Sequence, residues 1–380
     1  MNKPIRYFAG ITCFLLLIGC SRTAKASVNE TGLAYQIIPA SGKIAVSSDA
    51  AVPNEAEVSL PQKQIIKGPV FALSAQTVRP GDPITVAYSD NIAGPGPGTA
   101  SETPGGTASG NGGPRNMQAV LFDSRERRVA KAAFFSLPGA AGEPEIKAAI
   151  LALPTTVIPG NAVIRIESAD GIIKDLPIVI AGREFIFETI ALDQENTDLR
   201  TVQDPQKTAE SEQLWAVISR TGTEIYSTGP FIPPVNSTRR TSFFGDRRVY
   251  SYIDGSNDTT IHAGIDYGVP KGTEVRACAA GRVVLARPRI VTGNSVVVEH
   301  MPGLYSLYYH LDQINVRETD MVETGTLLGL SGSTGLATGP HLHWEIRVST
   351  ESADPDAFVS SPILDKNVII DKLEIGNQEL

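Results

Sequence analysis

Histidine is missing from most of this chain. None occurs in the first 261 residues, and all five lie between His262 and His343. The first two-thirds therefore lacks imidazole, the commonest metal ligand and the usual acid–base group near neutral pH. Cysteine is equally sparse, with three in 380 residues. Cys13 and Cys20 fall in the first twenty positions, which leaves Cys278 without an internal disulfide partner. It sits in the apolar run Val275-Arg276-Ala277-Cys278-Ala279 and reads as a small core residue, not a nucleophile. No basic run exists and the net charge is −8, so nothing suggests a phosphate-binding patch or a nucleic-acid partner. No apolar run reaches the roughly 20 residues of a spanning helix.

What is present points to β structure. Glycine (35) and proline (26) are plentiful, which implies many turns, and 42% hydrophobic content is enough for packed cores. A length of 380 residues accommodates two ordinary domains with linkers. Residues 1–20 read as a targeting segment: Lys3 and Arg6 precede the apolar stretch Phe8–Ile18. The run Leu17-Ile18-Gly19-Cys20 resembles a bacterial lipobox, which implies lipidation of Cys20 and a membrane anchor. Ser21 then suggests the periplasmic face of an outer membrane, with the outer face of the cytoplasmic membrane as the alternative. Residues 21–65 read as a flexible tether.

Residues 66–181 carry short alternating segments, among them Ile84–Asp90, Met117–Asp123, Val129–Leu137, Ala162–Glu167 and Leu176–Ile180, with a hairpin signal at Asp170-Gly171. Their spacing predicts a β-sandwich of immunoglobulin type. The stretch from 92 to 114, nearly all Gly, Pro, Ser and Thr, reads as a long loop. Residues 182–240 form a connector with one helix, capped by Asp204-Pro205 and ended by Gly222, that buries Leu214, Trp215 and Ile218. Residues 241–359 return to β, with strands expected at Val275–Ala279, Gly281–Ala286, Ser295–Met301, Leu304–Leu311, Leu327–Leu330 and His341–Val348. Residues 360–380 read as a tail. The fold class is mainly β.

Four histidines fall in three motifs: His262-Ala-Gly-Ile-Asp266, Tyr309-His310-Leu311 and His341-Leu342-His343. On a strand, residues i and i+2 share a face, so His341 and His343 point the same way. The same alternation puts Ser306, Tyr308 and His310 on one face of their strand. A catalytic zinc site uses three protein ligands and keeps one position open. The chain offers His262, Asp266 and one of the pair His341/His343, with two imidazoles to spare. Spare imidazoles beside a metal suit proton transfer or support of a developing oxyanion, the requirements of acyl-bond hydrolysis.

Residues 241–348 closely resemble the lysostaphin-type, or LytM-type, zinc endopeptidases of bacterial cell walls. The matching runs are Ser242–Arg247, His262–Gly268, Gly281–Val284, Leu304–Leu311, Gly332–Gly335 and Thr338–Glu345. The resemblance implies a compact antiparallel β domain with its site in a groove. It implies one Zn²⁺ bound by His262, Asp266 and His343, with His310 and His341 as catalytic histidines. It implies cleavage of peptide bonds in peptidoglycan stems or cross-bridges. The alternatives are a catalytically silent wall-binding relative or activator of a separate hydrolase, and a general secreted protease. The sequence departs from the family at Thr319-Asp320, where Gly-Asp is usual. His300 matches no role in the family, and Arg247 is expected to shape the groove wall. The N-terminal β segment is expected to position the enzyme on the wall or to cover the groove.

Overall fold

The computed structural model describes residues 69–90, 116–139, 143 and 145–376, the last three by backbone alone. The signal segment with Cys20, the 21–65 tether and the 92–114 loop lie outside the described residues.

Nine strands build the first part: β1 (Val70–Leu73), β2 (Thr77–Val78), β3 (Pro83–Ser89), β4 (Gln118–Phe122), β5 (Arg128–Ala133), β6 (Phe135–Ser136), β7 (Ile146–Ala152), β8 (Gly160–Ser168) and β9 (Gly171–Ile180). They form two sheets, ordered β1-β3-β7-β6 and β2-β9-β8-β4-β5. In chain order this is the A-B-E-D and G-F-C arrangement of an immunoglobulin sandwich, with β5 added beside β4 and β2 running parallel to β9. Ile84, Val86, Ala149 and Leu151 from the first sheet meet Ala119, Leu121, Ile164 and Ile166 from the second. The β8–β9 hairpin turns at Ala169-Asp170, and Gly171 supplies the positive φ that follows.

The connector is more structured than its sequence suggests. It holds strand β10 (Phe187–Ala191) and two helices, α1 (Gln194–Thr201) and α2 (Pro205–Ile218), where a single helix was expected. Asp204 caps α2 by accepting from the Gln206 amide, with Pro205 in the first turn. The helix ends at Ser219, before Gly222. Ile218 is buried, but Trp215 is 47% exposed, with the Arg347 guanidinium over its ring.

The remaining strands are β11 (Arg240–Ser242), β12 (Arg247–Ser251), β13 (Asn257–Ile261), β14 (Gly264–Tyr267), β15 (Glu274–Arg276), β16 (Gly281–Arg289), β17 (Gly293–Met301), β18 (Leu304–Ile314), β19 (Met321–Val322), β20 (Leu327–Ser331), β21 (Leu342–Val348) and β22 (Glu351–Ala353). An antiparallel sheet runs β11-β14-β21-β18-β17-β16-β19, and a small second sheet runs β10-β12-β13. The turn before β19 places Thr319 at φ +78°, a conformation that favours the glycine usual there. Two helices follow β22, α3 (Pro355–Ser360) and α4 (Lys366–Gly376), the second within the expected tail.

The sandwich and the second β region share a core. Val70, Ala148, Ile150 and Ala152, on the outer face of the first sheet, belong to the same apolar cluster as Phe231, Phe244, Trp344 and Phe358. Leu364, Ile369 and Leu373 of the C-terminal segment complete it. Polar contacts reinforce this packing. The Arg247 guanidinium donates to the Thr155 carbonyl at 2.7 Å, and Asp354 N donates to the Gly81 carbonyl at 2.9 Å. Arg247 thus ties the sandwich to the second region, and is not among the groove's lining residues.

Candidate metal centre

Register brings the motifs together. Across the β14–β21 ladder Asp266 faces His343, and across β18–β21 His343 faces Tyr309. Directly opposed residues on one sheet face are close neighbours. The Tyr309 ring stacks on His343 with centroids 5.4 Å apart and planes 6° from parallel. Gly264, two residues before Asp266, lies opposite Glu345, and a Cβ there would overlap the Trp344 carbonyl. The glycine of His262-Ala-Gly-Ile-Asp266 therefore permits the strand approach that sets this register.

His262 follows β13 directly and is fixed by the 243–246 loop. Its amide donates to the Asp246 carbonyl at 2.9 Å, and its own carbonyl accepts from Gly245 N at 2.8 Å. Its Nδ1 lies 2.8 Å from the Phe243 carbonyl, which assigns the ring proton to that nitrogen and leaves the Nε2 lone pair free. Nε2 lies 3.0 Å from Asp266 Oδ1 and 3.0 Å from His343 Nδ1, and the latter lies 2.8 Å from the same Oδ1. The other nitrogen of His343, Nε2, faces Glu345 Oε2 at 3.5 Å.

This donor set fits a divalent metal. Three electron-pair donors from two imidazoles and a carboxylate converge with no polar hydrogen assigned among them by the outer contacts, and all three residues are buried. The electrostatics agree. Burial pushes His262 down. Burial alone would also lower His343, but the Asp266 and Glu345 carboxylates outweigh it and raise the ring to about 9. Burial raises Asp266, yet His262 and His343 hold it well below the ordinary carboxylate range. The pocket favours a positive charge among these three atoms, and a proton and a metal compete for that place.

Two more imidazoles flank the cluster. His341 immediately precedes β21, its Nδ1 2.8 Å from the Gly339 carbonyl and its Nε2 4.0 Å from Asp266 Oδ1. His310 has its Nδ1 2.7 Å from the Thr334 carbonyl, and its ring centroid lies 4.7 Å from that of His341. Simple alternation put His310 on the face of Ser306 and Tyr308. Tyr308 belongs to the core, whereas His310 lines the cleft. A left-handed backbone at His310 (φ +61°) and a register shift between Asn294 and Val296 on the neighbouring strand break the alternation. Burial, with His341 and His343 nearby, lowers His310 to about 3.

His300 is apart from this group and fully buried. Its Nδ1 meets the Ala280 carbonyl at 2.8 Å and its Nε2 meets Ser306 Oγ at 2.7 Å. Cys278 lies beside it, buried as expected, with its thiol pushed up to about 12 by burial.

The side chains of His262, Asp266, His310, His341 and His343 open into a cleft of about 690 Å³. One wall is the face of the small sheet that carries Glu188, Ile190, Arg248, Tyr250 and Thr260, and the other includes Leu336–Pro340. None of its lining residues comes from the described part of the sandwich, so those residues do not cover it. Sequence reading assigned no role to Glu188, Arg248 or Tyr309. Only Tyr309, next to His310 in a quoted motif, carried any signal.

Residues 260–355 match Peptidase family M23. The DD-carboxypeptidase/endopeptidase Mpg of Neisseria meningitidis serogroup B is 38% identical over 124 residues, 33% of this chain and 28% of that protein. The peptidoglycan DD-endopeptidase ShyA of Vibrio cholerae is 39% identical over 116 residues, covering 30% and 26% of the two chains. Lysostaphin of Staphylococcus staphylolyticus is 36% identical over 107 residues, covering 27% and 22%. The chain thus spans less than a third of the length of each of these relatives. The resemblance drawn from the motifs of 241–348 holds, and the chain carries a peptidase family M23 domain homologous to lysostaphin.

Proposed function

We propose that this protein is a zinc-dependent endopeptidase that hydrolyses peptide bonds in peptidoglycan. The observation that carries the reading is the convergence of His262 Nε2, Asp266 Oδ1 and His343 Nδ1, within 4.8 Å of one another, on the floor of an open cleft. Bound by His262, Asp266 and His343, zinc would supply the Lewis acidity that lets a water molecule lose a proton near neutral pH. The chain's own groups do the rest. His310 and His341 both commit Nδ1 to a backbone carbonyl, which leaves each Nε2 able to accept a proton from the attacking water. Once protonated, the same nitrogen donates to the developing oxyanion or returns the proton to the departing amine. Tyr309 and Glu345 hold the His343 ring in place, one by stacking and one by facing its outer nitrogen.

The relatives named as peptidoglycan DD-endopeptidases make the D,D cross-link the first bond to examine. Lipidation of Cys20 would hold the enzyme at the cell envelope, facing the periplasm from the outer membrane. Digestion of purified peptidoglycan, with and without a chelator and with mass analysis of the fragments, tests the assignment. Peptide-bond products that vanish on chelation and return with zinc are expected. Glycan fragments, or products indifferent to chelation, would overturn it.

A further inference from the structure

We propose that Glu188 and Arg248 are positioning residues of the metal centre, acting in series to hold Asp266 in its ligating orientation. The proposal rests on the reading of His262, Asp266 and His343 as a metal site. Asp266 uses only Oδ1 toward the two histidines. Its Oδ2 accepts from Arg248 Nη2 at 2.8 Å, and Arg248 Nε in turn donates to Glu188 Oε1 at 2.6 Å. Glu188 and Arg248 are paired neighbours on the parallel strands β10 and β12, so both side chains project from the same face toward the cleft. The arrangement lies within the protein: side-chain exposure is 10% for Arg248, 9% for Asp266 and 28% for Glu188.

Each member has a distinct physical task. A carboxylate can ligate through either oxygen, and the Arg248 fork ties Oδ2 away so that Oδ1 alone faces the imidazoles. Arg248 also brings a positive charge close to a site that must hold a cation. Glu188 offsets that charge and fixes the guanidinium plane. Without Glu188, Arg248 would oppose the metal and would be free to turn. Without Arg248, the Asp266 carboxylate would be free to rotate. Glu188 stands in the connector, 72 positions before the start of the family match at residue 260, so no motif of the domain announces it.

The test compares the full chain with Glu188→Gln, Arg248→Gln and the double variant. Zinc affinity is read by competition with a chelating dye, and the melting temperature of each metal-free protein is recorded alongside. Each single change is expected to weaken zinc binding about 10–100-fold, as loss of outer-shell partners does. Because the two residues act in series, the double variant should lose no more than the worse single one. Lower metal-free melting temperatures with unchanged zinc affinity would mean a merely structural role and would overturn the proposal, as would losses that simply add. If Arg248→Gln does not fold, the near-isosteric Glu188→Gln decides alone. Failure of the unaltered chain to take up zinc would overturn the site reading itself, whereas tight zinc binding by both it and Glu188→Gln would overturn only the positioning role.

Discussion

Each imidazole is told apart by what its second nitrogen touches. His262, His310 and His341 each give Nδ1 to a backbone carbonyl, His343 turns Nε2 toward Glu345, and His300 spends both nitrogens inside the core. The first four keep one nitrogen for the cleft, and they divide by whether that nitrogen lies within the ligand triangle. His310→Ala or His341→Ala should therefore lower peptidoglycan hydrolysis by about 10²–10⁴-fold while metal content, read by atomic spectroscopy, stays unchanged. His343→Ala should lose both. His300 has a different consequence. Burial drops it from the ordinary value of 6.5 to about 4. Between those two values the unfolded chain binds a proton that the folded protein refuses, so stability falls as pH drops from 6.5 toward 4 and levels off below. The full loss is about 3 kcal/mol. Urea unfolding at several pH values should show a shallower acid decline for His300→Gln than for the parent, and parallel declines would refute the assignment. At this scale the ligand candidates were legible because imidazole is so rare and so clustered here. The choice of His343 over His341 rested on the family resemblance and not on the residues alone, since it depends on the Asp266↔His343 register. The face of His310 was misread because one positive φ overrides a period of two.

Among the elements, most strands of the sandwich were readable and β7 was not. In β7, Ile146, Ala148, Ile150 and Ala152 face the shared core while Ala149 and Leu151 face the sandwich core. That burial removes the polar positions on which alternation depends. The start of α2 was legible because Asp204-Pro205 is a local capping signal, whereas Trp215 was misjudged because exposure is set by distant neighbours. β10 carries no alternating pattern strong enough to stand out, and it is held by parallel pairing to β12, some sixty residues away. The C-terminal segment, to which the sequence assigned no role, packs into the core. α4 lies against β1 and β3, Lys372 Nζ donates to the Leu73 carbonyl at 3.0 Å, and Leu373 is fully buried. Leu373→Ala should cost about 2–5 kcal/mol, as cavity-forming core changes do. Denaturant titration would show a lower midpoint, and an unchanged midpoint would mean that α4 contributes nothing to the core.

For the molecule as a whole, the decisive fact is that the apolar core does not stop at the domain boundary expected near residue 181. The face of the first sheet is covered by side chains that also support the β14–β21–β18 strands of the metal centre, and Arg247 joins Thr155 across the same junction. Local sequence patterns cannot reveal such a contact, because each side of it resembles an ordinary core face. It has a thermodynamic consequence. Two regions that bury one continuous apolar surface should unfold together, so calorimetry on the metal-free protein should give one transition with equal calorimetric and van't Hoff enthalpies. Two resolved transitions would mean that the shared packing is too weak to couple them. The same argument bears on a shortened chain beginning at Thr238, which keeps His262, Asp266, His310, His341 and His343. It loses the sandwich sheet that covers this core, the β10 wall of the cleft and Glu188. Such a chain should expose a large apolar face, associate in solution and bind zinc more weakly than the full chain. A soluble, monomeric fragment with undiminished zinc affinity would show instead that the M23 domain is self-sufficient and that the junction serves only to place it.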